Sequence, residues 1–286
     1  MADARTLIGK PVAREINDYT AERVESFKSK TGRDPRLGVL TVDDPAGLSY
    51  LKSIRSTGKK LGVEVVEFPV DSLATTGTVT NSINSLNEDD TIDGVLIQTP
   101  VPEGVNYSKT AAALDPQKDV DGITPTQAGY LFQGDKQAVP PSTARAAMEI
   151  LDYNKYGLQG LEVVIIGRSL VVGKPFGLLA LARNATVTWT HSKTHSLHAV
   201  CKRAEVLIVA AGRPRMVNET FVRPGATVID VGINVDENGK LCGDVDSERI
   251  TSIAAAYTPV PGGVGPVTTA CLFANLMDAA NRKLKG

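Results

Sequence analysis

"LEVVIIGRSLVVGKPFGLLALARNATVTWTH", residues 161–191, contains a whole strand–turn–helix–strand unit. Four β-branched residues, Val163 to Ile166, run without interruption and stop at Gly167. An unbroken apolar run bounded by glycine reads as a strand buried on both faces. Pro175 suits the first turn of the helix that follows, and "ATVTWT" starts a second strand. Two strands joined through a helix lie parallel, so this stretch predicts an α/β domain with helices covering its sheet.

The turn also bears on function. Gly167 and Gly173 are separated by five residues, which is not the G-x-G-x-x-G spacing and by itself fits any strand-to-helix turn. Its location, at the carboxyl end of a strand and the start of a helix, is where backbone N–H groups favour phosphate. A NAD-binding unit usually carries Asp or Glu after its second strand, to hold the ribose 2′-hydroxyl. Here "THSKT" offers His191, Ser192 and Lys193 and no acid. With Arg168 these groups could accept a 2′-phosphate through charge-assisted hydrogen bonds, which points to NADP. His191, His195 and His198 are the three histidines of the chain. They read as surface or cofactor-edge residues and not as a metal site, because the first ends a strand and the other two start a helix.

Outward from this unit the pattern repeats. "AEVLIVAAG" and "ATVIDVGIN" follow as strands. In the first half "RLGVLTV", "VEVVEFPV" and "IDGVLIQTP" read as strands separated by amphipathic helices, and "KDVDGITPTQAGYLFQ" reads as a loop-rich segment. The chain closes with the helix "GPVTTACLFANLMDAANRKLKG". Its 286 residues suit two domains. A formal net charge of −1 gives no basic excess for nucleic acid. No apolar run reaches membrane-spanning length. Three separated cysteines and no signal-like N-terminus suggest a reduced, cytoplasmic setting.

Two further segments could line a site. "PQKDVDGITP" places Lys118, Asp119 and Asp121 beside Gly122, and "TPVPGGVGPVTT" places Pro261, Gly262, Gly263 and Gly265 before the last helix. Taken singly they read as a polar turn and a rigid linker.

Together, "DDPAG…SY", "DGVLIQTPVP", "KDVDG", "IIGRSLVVGKP", "HSKT", "DVGIN" and "TPVPGGVGPVT" resemble the methylenetetrahydrofolate dehydrogenase/cyclohydrolase family in order, spacing and nearly full length. The resemblance implies an α/β protein of two domains. The first, residues 1–145 completed by a returning C-terminal helix at 266–286, would be catalytic. The second, 146–265, would be a Rossmann-type NADP-binding domain, with folate held in a cleft between the two and usually a homodimer. It implies oxidation of 5,10-methylenetetrahydrofolate to the methenyl form with NADP, then hydrolysis to 10-formyltetrahydrofolate. Tyr50, Gln98 and Asp121 match catalytic and folate-binding positions. Pro261, Gly262, Gly263 and Gly265 match the folate-contacting loop. Gly167, Arg168, Ser169, Gly173, Ser192 and Ile233 match dinucleotide contacts.

One position departs. The family pattern is Tyr-x-x-x-Lys, and here Tyr50 is followed at that spacing by Ile54. Lys52 lies about 200° around a helix from Tyr50 and does not substitute. "PSTARA" and "DGITP" also depart from the family's "PCTPxG" and "DGFHP". Hydride transfer depends on positioning and on the cofactor, whereas water addition needs proton shuttling worth ~10²–10⁴-fold. The expected activity is therefore an NADP-dependent dehydrogenase with weak or absent cyclohydrolase. A fully bifunctional enzyme and a non-catalytic folate- or NADP-binding protein are the alternatives.

Overall fold

The computed structural model describes residues 3–284 and divides the chain into two compact units. One comprises residues 14–142 and 269–286, the other residues 1–13 and 143–268.

The first unit is built on a three-stranded parallel sheet. Its order is β3 (Glu64–Val70), β2 (Arg36–Val42), β4 (Gly94–Ile97). The central strand is buried along nearly its whole length, as its continuous apolar run requires. On one face α1 (Gly9–Thr31), α2 (Pro45–Leu61) and the terminal α10 (Val264–Lys283) contribute Phe27, Leu51, Ile54, Phe273 and Leu276 to one core cluster. The C-terminal helix thus returns to the first domain because its Leu272, Phe273, Leu276 and Met277 complete that core. The opposite face receives Val79, Ile83 and Leu86 of α3 (Thr76–Glu88).

The segment 118–133 departs from the loop-rich expectation. After α4 (Tyr107–Ala113) the chain forms α5 (Pro125–Gln133). Thr124 caps this helix by accepting from the Gln127 N–H, Pro125 occupies its first turn, and Gly134 ends it in the left-handed region. The Thr-Pro and Gly signals, readable as loop punctuation, are the helix's caps.

The second unit carries a six-stranded parallel sheet. Its order is β1 (Arg5–Thr6), β11 (Ala256–Tyr257), β8 (Thr227–Asp230), β7 (Val206–Val209), β5 (Glu162–Ile166), β6 (Thr186–Thr190). The short antiparallel pair β9 (Asn234–Val235) and β10 (Leu241–Cys242) stands apart from it. The helices α6 (Ser142–Tyr153), α7 (Gly173–Leu181), α8 (Leu197–Cys201) and α9 (Ser247–Ile250) complete the element list. Residues 3–13, assigned from sequence to the first domain, group with this sheet because β1 pairs with β11.

The single tryptophan, Trp189 on β6, lies against α7. Its indole N–H donates to the Gly173 carbonyl at 2.8 Å, and a Cβ at Gly177 would overlap the ring. Gly177→Ala should destabilise the protein by about 1–3 kcal/mol, since rigid backbone and indole must part. Thermal unfolding measures the loss, and the Trp189 emission should shift; an unchanged melting temperature would show that the pair relaxes freely.

Candidate active site

The candidate site residues fall into two groups, one in each unit. In the six-stranded unit the chain runs from β5 to its neighbour β6, then crosses to β7 on the other side of β5. Loops after β5 and β7 therefore leave the sheet in opposite directions, and a crevice opens at their carboxyl ends. Gly167 stands there at φ +125°, and a Cβ would overlap the Ala210 carbonyl in the loop after β7. A Cβ on Gly173 would overlap the Gly167 carbonyl. Only glycine at both positions lets the turn close this tightly.

Ser169 folds the turn locally: its Oγ accepts from the N–H groups of Val172 (3.1 Å) and Gly173 (3.4 Å). Arg168 is exposed and forms no ion pair among the described residues. The "HSKT" segment is a closed turn. Thr194 N–H donates to the His191 carbonyl, and Lys193 N–H to His191 Nδ1 at 3.1 Å. That bond assigns the proton of a neutral His191 to Nε2. Ser192 and Lys193 are left exposed. Ile233 follows β8 and is 67% exposed. The loop 259–263, the first turn of α10 (264–266) and Ile233 line a cavity of about 170 Å³ together with Asp230 and Leu241; Pro261, Gly262 and Gly263 of the loop border it, as does Gly265, which lies in the helix and not before it.

In the three-stranded unit, Tyr50, Gln98 and Asp121 sit at the carboxyl side of β2 and β4. Gln98 follows β4 and is 4% exposed. Its Nε2 donates to the Gly47 carbonyl at 3.1 Å, while its Oε1 is buried and accepts nothing among the described residues. A buried acceptor without a donor is costly, and a water or ligand donor would satisfy it. Asp121 accepts from the Ser142 N–H at 3.0 Å. Burial pushes its carboxyl up to about 6, against the opposing Ser142 hydrogen bonds. The Tyr50 phenol is raised above its ordinary range by burial first, then by the Asp121 charge, which places the two as neighbours.

Sequence reasoning missed Tyr107, whose phenol is likewise raised by burial and then by Asp121 and Asp119. No motif marks it; only the fold brings α4 beside Asp121. Lys118, within the "KDVDG" string, is a structural residue. Its Nζ donates to the carbonyls of Leu86, Asn87 and Asp89 at 2.7–2.8 Å, closing the end of α3. Asp119, fully buried, accepts the N–H groups of Asp121 and Thr124 and so shapes the loop.

Comparison with known proteins gives the family. The family model for the tetrahydrofolate dehydrogenase/cyclohydrolase catalytic domain matches residues 7–121, and that for its NAD(P)-binding domain matches residues 141–284. The chain belongs to the tetrahydrofolate dehydrogenase/cyclohydrolase family. It is 40% identical over 284 residues to a bifunctional protein FolD of Acetivibrio thermocellus, covering 99% of each chain. The crystal structure of the bifunctional enzyme FolD from Campylobacter jejuni superposes with a TM-score of 0.94 at 35% identity, covering 98% of this chain and 99% of that one. The Trypanosoma brucei dehydrogenase-cyclohydrolase, solved with NADP and an inhibitor, gives a TM-score of 0.94 at 29% identity over the whole of both chains.

Arg168→Ala should weaken NADPH binding by roughly tenfold or more while leaving NADH within twofold, because a charged hydrogen bond contributes about 1.5–3 kcal/mol. Fluorescence titration of Trp189 with each cofactor reads this directly. Equal losses for both would remove Arg168 from 2′-phosphate recognition.

Proposed function

We propose that this chain oxidises 5,10-methylenetetrahydrofolate to 5,10-methenyltetrahydrofolate with NADP, and hydrolyses the methenyl product weakly or not at all. Family membership and the exposed Arg168, Ser192 and Lys193 around an acid-free turn support the cofactor assignment. NADP, when bound, supplies the hydride acceptor. The protein's part in that step is to bind and orient. Asp121 suits paired N–H groups of the pterin as a double acceptor, and Gln98 offers its unpartnered Oε1.

The observation that carries the second half of the proposal is Ile54. It is 0% exposed, packed in the apolar cluster with Leu51, Leu61 and Phe273, and Tyr50 packs against the same cluster. At this position the family resemblance calls for lysine. Neighbouring cations do not replace it. Lys52 is exposed, Arg55 is paired with Glu67, and the three Nζ protons of Lys118 are engaged by carbonyls.

The second reading is the fully bifunctional enzyme that also makes 10-formyltetrahydrofolate. Relationship alone favours it, since relatives at 40–42% identity over nearly the whole chain are named bifunctional. The two readings differ in one assay. With methylenetetrahydrofolate and NADP, reduced cofactor and methenyltetrahydrofolate are followed separately. Dehydrogenase without cyclohydrolase lets the methenyl form accumulate and then decay at the buffer rate; decay well above that rate establishes the bifunctional reading. Ile54→Lys should restore hydrolysis only in part and should lower the melting temperature, because the new ammonium enters an apolar core.

Asp121 supplies a separate check. Its carboxylate must be ionised to accept two N–H donors, so kcat/KM for the folate should fall as pH drops through about 6. Asp121→Asn should cut kcat/KM at least tenfold, abolish that acid limb and leave NADPH affinity within twofold. The same raised value makes ionisation cost stability. That cost is absent below the ordinary value of 3.8 and complete above about 6. Near-normal turnover by the Asn variant would reduce Asp121 to a turn residue.

A further inference from the structure

Asp244 belongs to no motif assigned above, yet it is 0% exposed and accepts more hydrogen bonds than any residue of the candidate site. Oδ2 takes the N–H groups of Ala211 (2.6 Å) and Gly212 (2.9 Å). Oδ1 takes those of Arg213 (2.7 Å) and the Asn234 side-chain amide (2.9 Å). Three successive backbone N–H groups form a concavity that suits an anion, and here the protein fills it with its own carboxylate.

These amides belong to the loop after β7, directly following Ala210, whose carbonyl lies against Gly167. Asn234 follows Ile233 in the segment after β8. Asp244 therefore ties together one wall of the crevice opposite the Gly167 turn and the segment bearing Ile233. Asp230, at the end of β8, holds Asp244 in turn. Its carboxylate accepts the N–H groups of Asp244 (3.1 Å), Gly232 (2.9 Å) and Val245 (2.9 Å). Burial raises the Asp230 carboxyl to about 7.

We propose that Asp244 is a positioning residue for the dinucleotide, fixing the β7 and β8 lips of the crevice so that cofactor binds to a preformed wall. Without the carboxylate, three adjacent amides lose their acceptor and the loop must find other partners before cofactor can dock. An asparagine in its place presents an NH₂ group where two of the four donors point. The inference rests on the dinucleotide reading of the proposed function.

The test compares wild type with Asp244→Asn and Asn234→Ala, using NADPH and NADH titrations, folate KM at saturating NADP, and thermal unfolding. Asp244→Asn should raise the Kd for NADPH tenfold or more and leave the folate KM within twofold. Asn234→Ala, which removes one bond and spares the three amides, should raise that Kd at least threefold. A lowered melting temperature with Kd within twofold of wild type would overturn the proposal, as would parallel losses for cofactor and folate. If Asp244→Asn does not fold, Asn234→Ala decides by the same criteria. Failure of wild type to bind either cofactor would instead refute the dinucleotide reading itself.

Discussion

The loops at the carboxyl ends of parallel strands must satisfy their backbone N–H groups away from water, and this chain does so with buried carboxylates. Asp119 takes the amides of the loop that bears Asp121. Asp230 and Asp244 do the same beside β7 and β8. A buried carboxylate is tolerated only when several donors surround it, and several donors in a short loop are satisfied only by a multidentate acceptor. Each requirement meets the other. The result is a set of loops with little freedom, placed where ligands of α/β sheets bind.

That rigidity explains the division of labour around Asp121. Lys118 and Asp119, three and two residues before it, are committed to carbonyls and amides, so the loop is held by its own neighbours. Asp121 itself accepts from Ser142 and remains half-buried with capacity for further donors. Gln98 is anchored at one end to Gly47, and its other end has no donor among the described residues.

Much of this was legible in the sequence, for a physical reason. Uninterrupted apolar runs such as Val163–Ile166 leave no choice but burial on both faces, and Gly167 and Gly173 mark a turn too tight for a side chain. The α5 helix was not legible because Thr124, Pro125 and Gly134 signal turns and caps alike, and only the tertiary context of Gln127, bonded to Pro116 and Val139, decides between them. The placement of residues 3–13 depends on a two-residue strand whose partner lies some 250 positions away, which no local pattern reveals. Asp244 escaped notice for a similar reason. Its significance lies in three amides some thirty residues earlier, and a lone aspartate between Gly243 and Val245 carries no local sign of them.

Ile54 joins these levels. On α2 it occupies the stripe defined by Leu51 and Leu61, and full burial of an isoleucine contributes about 1.5–3 kcal/mol to the packing of that helix on α10. A lysine at the same Cα would have to thread its stem past Phe273 and Leu272 and find a polar partner for its ammonium, or suffer the desolvation of a buried charge. Gln98 and Asp121, the residues proposed to hold the substrate by hydrogen bonds, keep their supporting contacts to Gly47 and Ser142. The residue expected to move protons is replaced by one that only packs. Random decay would not separate the two roles, because the supports of Gln98 and Asp121 are as easily broken as the site of a lysine. Intact supports around Gln98 and Asp121 beside an apolar residue at position 54 are what the proposed dehydrogenase with weak hydrolysis requires: a group that orients the substrate needs its supports, and a packing residue moves no proton.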